Sequence, residues 1–197
     1  LRIYIIFPLI IMKSKTPLFI LLAVVVLVGL WVWSGYNGFV SGKEKVDAQW
    51  AQVETQYQRR ADLIPNLVNT VKGAAEFEKG TFTAVTEART KWMGAGDRGS
   101  KIDAAQGMDS ALARLLLTFE NYPDLKATKA YTDLMAQLEG TENRVAVARR
   151  DFNESVRVFN VMVKRFPGLV LARLLGFNPE SFFEADAGSE EAPKVEF

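Results

Sequence analysis

The segment QRRADLIPNLV, residues 58–68, sets Arg59, Arg60 and Asp62 close together, with Asn66 just past Pro65. Two adjacent guanidinium groups and a carboxylate can bind an anionic partner or an acidic peptide through charge-assisted hydrogen bonds. The same residues have a local reading. Asp62 can cap a helix by accepting backbone N–H bonds at its positive end, and Pro65 fits the first helical turn, where its missing N–H matters little. The arginines then finish the preceding helix, and a helix break or sharp kink is expected within this segment. A second polar pair, Asn153 and Asn160, is spaced seven residues apart and shares one helix face. These amides form either a polar recognition stripe or a buried register device between helices.

Other chemistry is narrowed by what the chain lacks. Its 197 residues contain no histidine and no cysteine, which removes the commonest general base and metal ligand, thiolate zinc sites, disulfides and lipidated cysteines. Glu76 and Glu78 are close in sequence but point about 200° apart on a helix, so they cannot converge from that element. Glu190 and Glu191 read as a solvated pair. The run MGAGDRGS (93–100) is not a phosphate loop, because Gly99-Ser100-Lys101 has the wrong order and no strand precedes it. No catalytic residue, metal ligand or cofactor is expected. With 24 cations against 23 acids, net charge gives no argument for nucleic-acid binding.

These residues need elements to position them, beginning with an anchor. No charged residue occurs from Thr16 to Gly42, and Pro17–Trp33 is almost wholly apolar. Extended to Tyr36, the run reaches the roughly 20 residues that cross a hydrocarbon core. Trp31, Trp33 and Tyr36 cluster at its far end, where amphipathic rings prefer the headgroup region. Its length and bulky end argue against a cleaved leader. Met12-Lys-Ser-Lys has the look of a natural amino terminus, so residues 1–11 are read as a candidate start-site artefact. Lys13 and Lys15 favour an amino terminus in the cytoplasm and a domain outside it; the margin over Lys43 and Lys45 is small, and the opposite topology stays open.

Beyond the anchor, helical spacing dominates. Val46, Trp50, Val53 and Tyr57 share a face, and Val68, Val71, Ala75, Phe82 and Val85 continue such a stripe. Another runs through Ala111, Leu112, Leu115, Leu116 and Phe119. The strongest, Val145, Ala148, Phe152, Ser155, Phe159, Met162 and Phe166, is a coiled-coil-like seam that Val156 and Val163 widen. Breakers at 93–100, at NYPDLKA (121–127) and at Phe166-Pro167-Gly168 divide the pattern into helices near 43–61, 64–95, 103–120 and 125–166. Asp97 and Ser100 offer capping oxygens, and Asp124 can begin the last helix. Such helices bury their faces as an antiparallel bundle. LVLARLLGF (169–177) is expected to form a short helix capping one end. The expected division is 1–16, an anchor at 17–36, a bundle at 37–183 and an acidic, disordered tail at 184–197.

The chain from Tyr36 to Phe183 resembles the LemA family. The resemblance rests on YNGFV (36–40), Ala48-Gln49-Trp50, QRRADLIPNLVNTVKG (58–73), ENYPDLKA (120–127), TEN (141–143), the Phe-Asn pairs at 152–153 and 159–160, Phe166-Pro167 and Gly176-Phe177. It implies an all-α protein, an antiparallel four-helix bundle preceded by one amino-terminal transmembrane helix. It implies no established activity. Some members are associated with membrane zinc metalloproteases or cell-envelope proteins, and the family is often described with a short external amino terminus, opposite to the charge count here. Ala74 and Phe77 stand where the family commonly has Tyr and His, and Phe152 and Phe159 replace its tyrosines, so no mechanism needing those groups operates here.

The expectation is therefore a non-enzymatic, membrane-anchored scaffold or adaptor of the bacterial cell envelope. Its partners would be envelope or membrane proteins, a membrane protease among the candidates, with homo-oligomers allowed. The alternatives are a sensor that transmits a change through its membrane helix and a carboxylate-dependent hydrolase.

Overall fold

The computed structural model describes residues 16–72 and 79–184. Several expectations lie outside the described residues: Lys13 and Lys15, the reading of residues 1–11, Glu76 and Glu78, Ala74, Ala75 and Phe77, Glu190 and Glu191, and the tail from 185 on. The side chain of Val71 lies outside them too.

The described residues contain helices and no strand. The first, α1, runs from Thr16 to Lys72; α2 spans Lys79–Gly94, α3 Arg98–Thr118, α4 Pro123–Lys126, α5 Lys129–Lys164 and α6 Gly168–Leu175. Contacts fix their directions. Tyr57 meets Trp92 with ring centroids 5.0 Å apart, and Arg89 bonds the Ala61 carbonyl, so α2 runs opposite to α1. Arg98 pairs with Asp47 and Lys101 with Glu54, so α3 runs with α1. Trp50 meets Phe152 at 5.3 Å while Arg60 pairs with Glu142, so α5 runs opposite to α1.

The apolar run and the first domain helix are one element. α1 is continuous for 57 residues, and its amino-terminal part is long and apolar enough to cross a membrane, with its side chains facing outward. The expected break within residues 59–68 is therefore corrected, and so are the helix limits 43–61 and 64–95. Pro65 sits inside α1. Proline removes the N–H that would bond the carbonyl four residues back, here Ala61. The Arg89 Nε of α2 donates to that same carbonyl at 2.9 Å, so the orphan acceptor is satisfied from a neighbouring helix.

The buried faces follow the expected stripes in large part. Val46, Trp50, Val53, Tyr57, Val85, Leu112, Leu115, Phe119, Val145, Ala148, Phe152, Ser155, Val156, Phe159 and Val163 are buried. Phe166, placed in the seam by its spacing, is 76% exposed because α5 ends at Lys164. Leu116 is also exposed. Asp97 caps α3, accepting from the Ser100 N–H at 3.0 Å. A hydrogen bond from the Ser100 hydroxyl, and after it this backbone bond, hold its carboxyl below the ordinary range. Asp124 belongs to the short α4; the long helix starts later, with Thr128 as its cap. α6 ends at Gly176, whose φ of 79° lies in the left-handed region that glycine tolerates best. From there residues 177–184 run without regular secondary structure as a strap over the helices.

Candidate functional site

On α1, the 3–4 spacing that brings Val46, Trp50, Val53 and Tyr57 inward continues through Arg60, Ile64 and Leu67. A cation therefore occupies a core position, and Arg60 is 4% exposed. A charge so placed must be paired. On α3, Asp109 sits between Ala105 and Leu112 on the inward face. On α5, Arg149 sits between Val145 and Phe152. Asp109 receives the Tyr57 hydroxyl at 2.7 Å and hydrogen bonds from Arg60 and Arg149. Arg149 also bonds the Tyr57 oxygen, and Arg60 forms a second ion pair with Glu142. The Arg149 guanidinium lies 4.3 Å from the centre of the Phe183 ring, which stacks on Tyr57 at 6.0 Å. Three helices and the strap thus converge on one ionic cluster centred on the buried Arg60, with Asp109 and Arg149 partly buried.

Beside Arg60 opens a cavity of about 200 Å³, lined by Leu112, Leu116, Met135 and Leu138 and rimmed by Glu139 and Glu142. Its walls are mainly apolar, with carboxylates at the mouth and a guanidinium at the inner edge. This arrangement can hold a small apolar or cationic group. Among the described residues no group of His, Cys, Asp and Glu is placed to hold a metal ion.

The second polar pair has a different task from either expected one. Asn153 donates to the Phe183 carbonyl at 2.8 Å and accepts from the Phe183 N–H at 2.8 Å. Asn160 does the same with Glu180, again at 2.8 Å in both directions. Each amide thus reads a backbone donor and acceptor as a strand neighbour would. The spacing matches: seven helical residues rise about 10.5 Å and three extended residues about 10 Å. Arg98 pairs with Glu180 at 2.8 Å, Lys43 pairs with it too, and Gln106 bonds the Glu184 carbonyl at 3.2 Å. The two asparagines hold the chain's own strap, not another helix.

The other expected residues are scattered. Arg59, Asp62 and Asn66 are exposed on α1. Asp62 lies mid-helix and accepts from Gln58 at 2.9 Å, so it is no cap. Of the block 58–68, only Arg60 joins the cluster. Trp31 and Trp33 are exposed, and Tyr36 packs edge-on against Phe177 at 6.1 Å. Reading by residue type missed Tyr57, Asp109, Glu142 and Arg149. The signal for three of them is a polar group in a heptad position otherwise filled by apolar side chains. Glu142 is exposed and carries no such mark.

The sequence profile of the LemA family matches residues 49–197. Magnetosome protein MamQ 1 of Paramagnetospirillum magneticum is 27% identical over 175 residues, 76% of this chain and 64% of that protein. Magnetosome protein MamQ of Magnetospirillum gryphiswaldense is 29% identical over 180 residues, 78% of this chain and 66% of its own length. Protein LemA of Metamycoplasma hominis is 23% identical over 150 residues, 76% of this chain and 68% of its own. The chain thus spans slightly under two thirds of the MamQ proteins it matches.

Proposed function

The chain belongs to the LemA family, and from that premise we propose that it is a membrane-anchored scaffold or adaptor of the bacterial cell envelope. One observation carries the reading: the outward apolar run Pro17–Trp33 and the inward stripe Val46–Leu67 lie on a single uninterrupted helix. Among the described residues the first half has no apolar partner beyond the contact of Val32 with the core. A bilayer supplies that partner, and beyond its first turn the helix satisfies the span's backbone groups internally. The second half then fixes the domain rigidly at the membrane surface as an antiparallel four-helix bundle of α1, α2, α3 and α5. The cavity beside Arg60 gives a partner a place to seat a side chain.

We read the protein as non-catalytic. Two of the three carboxylates at the cavity are engaged by arginine, Asp109 by Arg60 and Arg149 and Glu142 by Arg60, and the chain has no histidine or cysteine to serve as base or nucleophile. The amino terminus is placed in the cytoplasm and the bundle outside, on the charge count around the span. Crosslinking in native membranes followed by mass spectrometry tests the adaptor role. A specific envelope or membrane protein is expected, and recovery of bulk proteins alone refutes it. Protease treatment of spheroplasts tests topology: digestion of the bundle is expected, and full protection places it in the cytoplasm.

The uninterrupted helix also favours a second reading, a sensor whose ionic cluster is coupled to the membrane span. Distances between spin labels on α1 and α3 that never change on partner binding would remove it.

A further inference from the structure

At the exit of the apolar run, α6 lies against α1. A Cβ on Gly35 would sit on the Leu171 side chain, so the two helices meet at close range there. Phe177 packs on Tyr36 and on Phe39, at 6.1 and 5.2 Å between ring centres. The turn before α6 shares a shallow groove with Trp31, Gly35 and Gly38. α6 therefore stands beside the stretch of α1 that carries Trp31, Trp33 and Tyr36.

Its inner face is settled by Leu171 and Ala172, both buried. Among the described residues nothing covers the outer face. Leu174 is 78% exposed, Val170 49%, and Phe166 in the preceding turn 76%. Val170 and Leu174 are one turn apart and point the same way. Lys164, Arg165 and Arg173 are exposed around them, and no acid occurs between Glu154 and Glu180. Large apolar side chains framed by cations, at the level of an aromatic belt, have the composition of a helix lying in a membrane interface.

We propose that Phe166 and α6 form a second membrane contact, lying in the interface plane with Phe166, Val170 and Leu174 immersed. Lys164, Arg165 and Arg173 then meet anionic lipid headgroups. The inference rests on the anchored reading of α1 and extends it. The chain touches the bilayer at two points beside one another, and the second fixes the rotation of the bundle about the span. A single helix alone leaves that rotation free.

The absence of cysteine makes the test clean. Single nitroxide labels are placed at Leu27→Cys in the span and at Phe166→Cys and Leu174→Cys in the full chain. The chain is reconstituted in vesicles of phosphatidylcholine with phosphatidylglycerol. Labels at all three positions are expected to be relaxed by oxygen and shielded from a water-soluble nickel chelate. Arg165→Gln and Arg173→Gln should each weaken immersion of the 174 label by roughly fivefold in anionic vesicles, and little in pure phosphatidylcholine. A label at 27 inside the bilayer with labels at 166 and 174 in water overturns the inference and leaves the anchor standing. A label at 27 in water overturns both. Dipolar broadening between labels at 174 puts a second copy of the chain on this face in place of lipid, and that also overturns it.

Discussion

The two halves of α1 share one backbone ladder and differ in everything their side chains do. From Pro17 to Trp33 the side chains are apolar in every direction and, apart from Val32, face outward. From Phe39 to Leu67 the inward positions are mostly apolar or aromatic at 3–4 spacing, and the others are mostly polar. The first half offers no single stripe, and among the described residues only Val32, near its end, packs against the core. The second offers one face, and α2, α3 and α5 cover it. Periodicity, more than hydrophobicity, decides whether a helix is buried by its own chain or by another medium. The exception inside the second half is the ionic cluster, where Arg60 takes a core position that an apolar residue would fill.

If that contrast holds, the largest effect of substitution lies in the cluster. Asp109→Ala leaves Arg60 and Arg149 without their shared carboxylate, and removing one partner of a buried ion pair costs about 3–5 kcal/mol. Urea unfolding of the detergent-solubilised chain, followed by circular dichroism, should show that loss; a shift within error would mean the cluster is open to water. Next comes the strap. Asn160→Ala deprives the Glu180 backbone of both its partners and is expected to destabilise by about 2 kcal/mol. Faster hydrogen exchange at the amides of 180 and 183 checks it, and unchanged protection would assign the strap's stability to Arg98 and Phe183 instead.

A smaller effect tests how the domain half tolerates its proline. Arg89→Met removes the donor to the Ala61 carbonyl and should cost about 1 kcal/mol. Adding Pro65→Ala restores a backbone donor, so the double variant should recover most of that loss in a double-mutant cycle. Additive losses would show that Arg89 serves another purpose. The smallest effect belongs to the apolar half of α1. Leu22→Ala should leave the domain's unfolding within about 0.5 kcal/mol of the parent, as for other surface positions. A larger change would mean the span packs on the domain.

Much of this was legible from residue pattern. The stripes at Val46–Tyr57 and Val145–Val163 identified buried faces because helical geometry maps spacing onto direction. The short apolar helix after Phe166-Pro167-Gly168 was equally visible. The proline in RRADLIPNLV misled, although Arg60, Ile64 and Leu67 carry the same spacing straight through it. A proline's local penalty is visible in sequence, whereas the guanidinium that offsets it comes from 24 residues further on. Asn153 and Asn160 were visible as a pair, but their partners are backbone groups of the strap, which no residue type announces.

By itself the sequence determined the helical class, the outward apolar run, the faces each helix buries and the family to which the chain belongs. The first three depend on periodicity and composition, which are properties of neighbouring positions, and the family on specific motifs such as QRRADLIPNLV. Only the tertiary structure decided that α1 continues through Pro65, that Tyr57, Arg60, Asp109 and Arg149 form one cluster, and that two asparagines hold the strap. The reason is physical. Whether a missing hydrogen bond breaks a helix, or a core cation is tolerated, depends on the groups that arrive from other helices, and local sequence carries no record of their arrival.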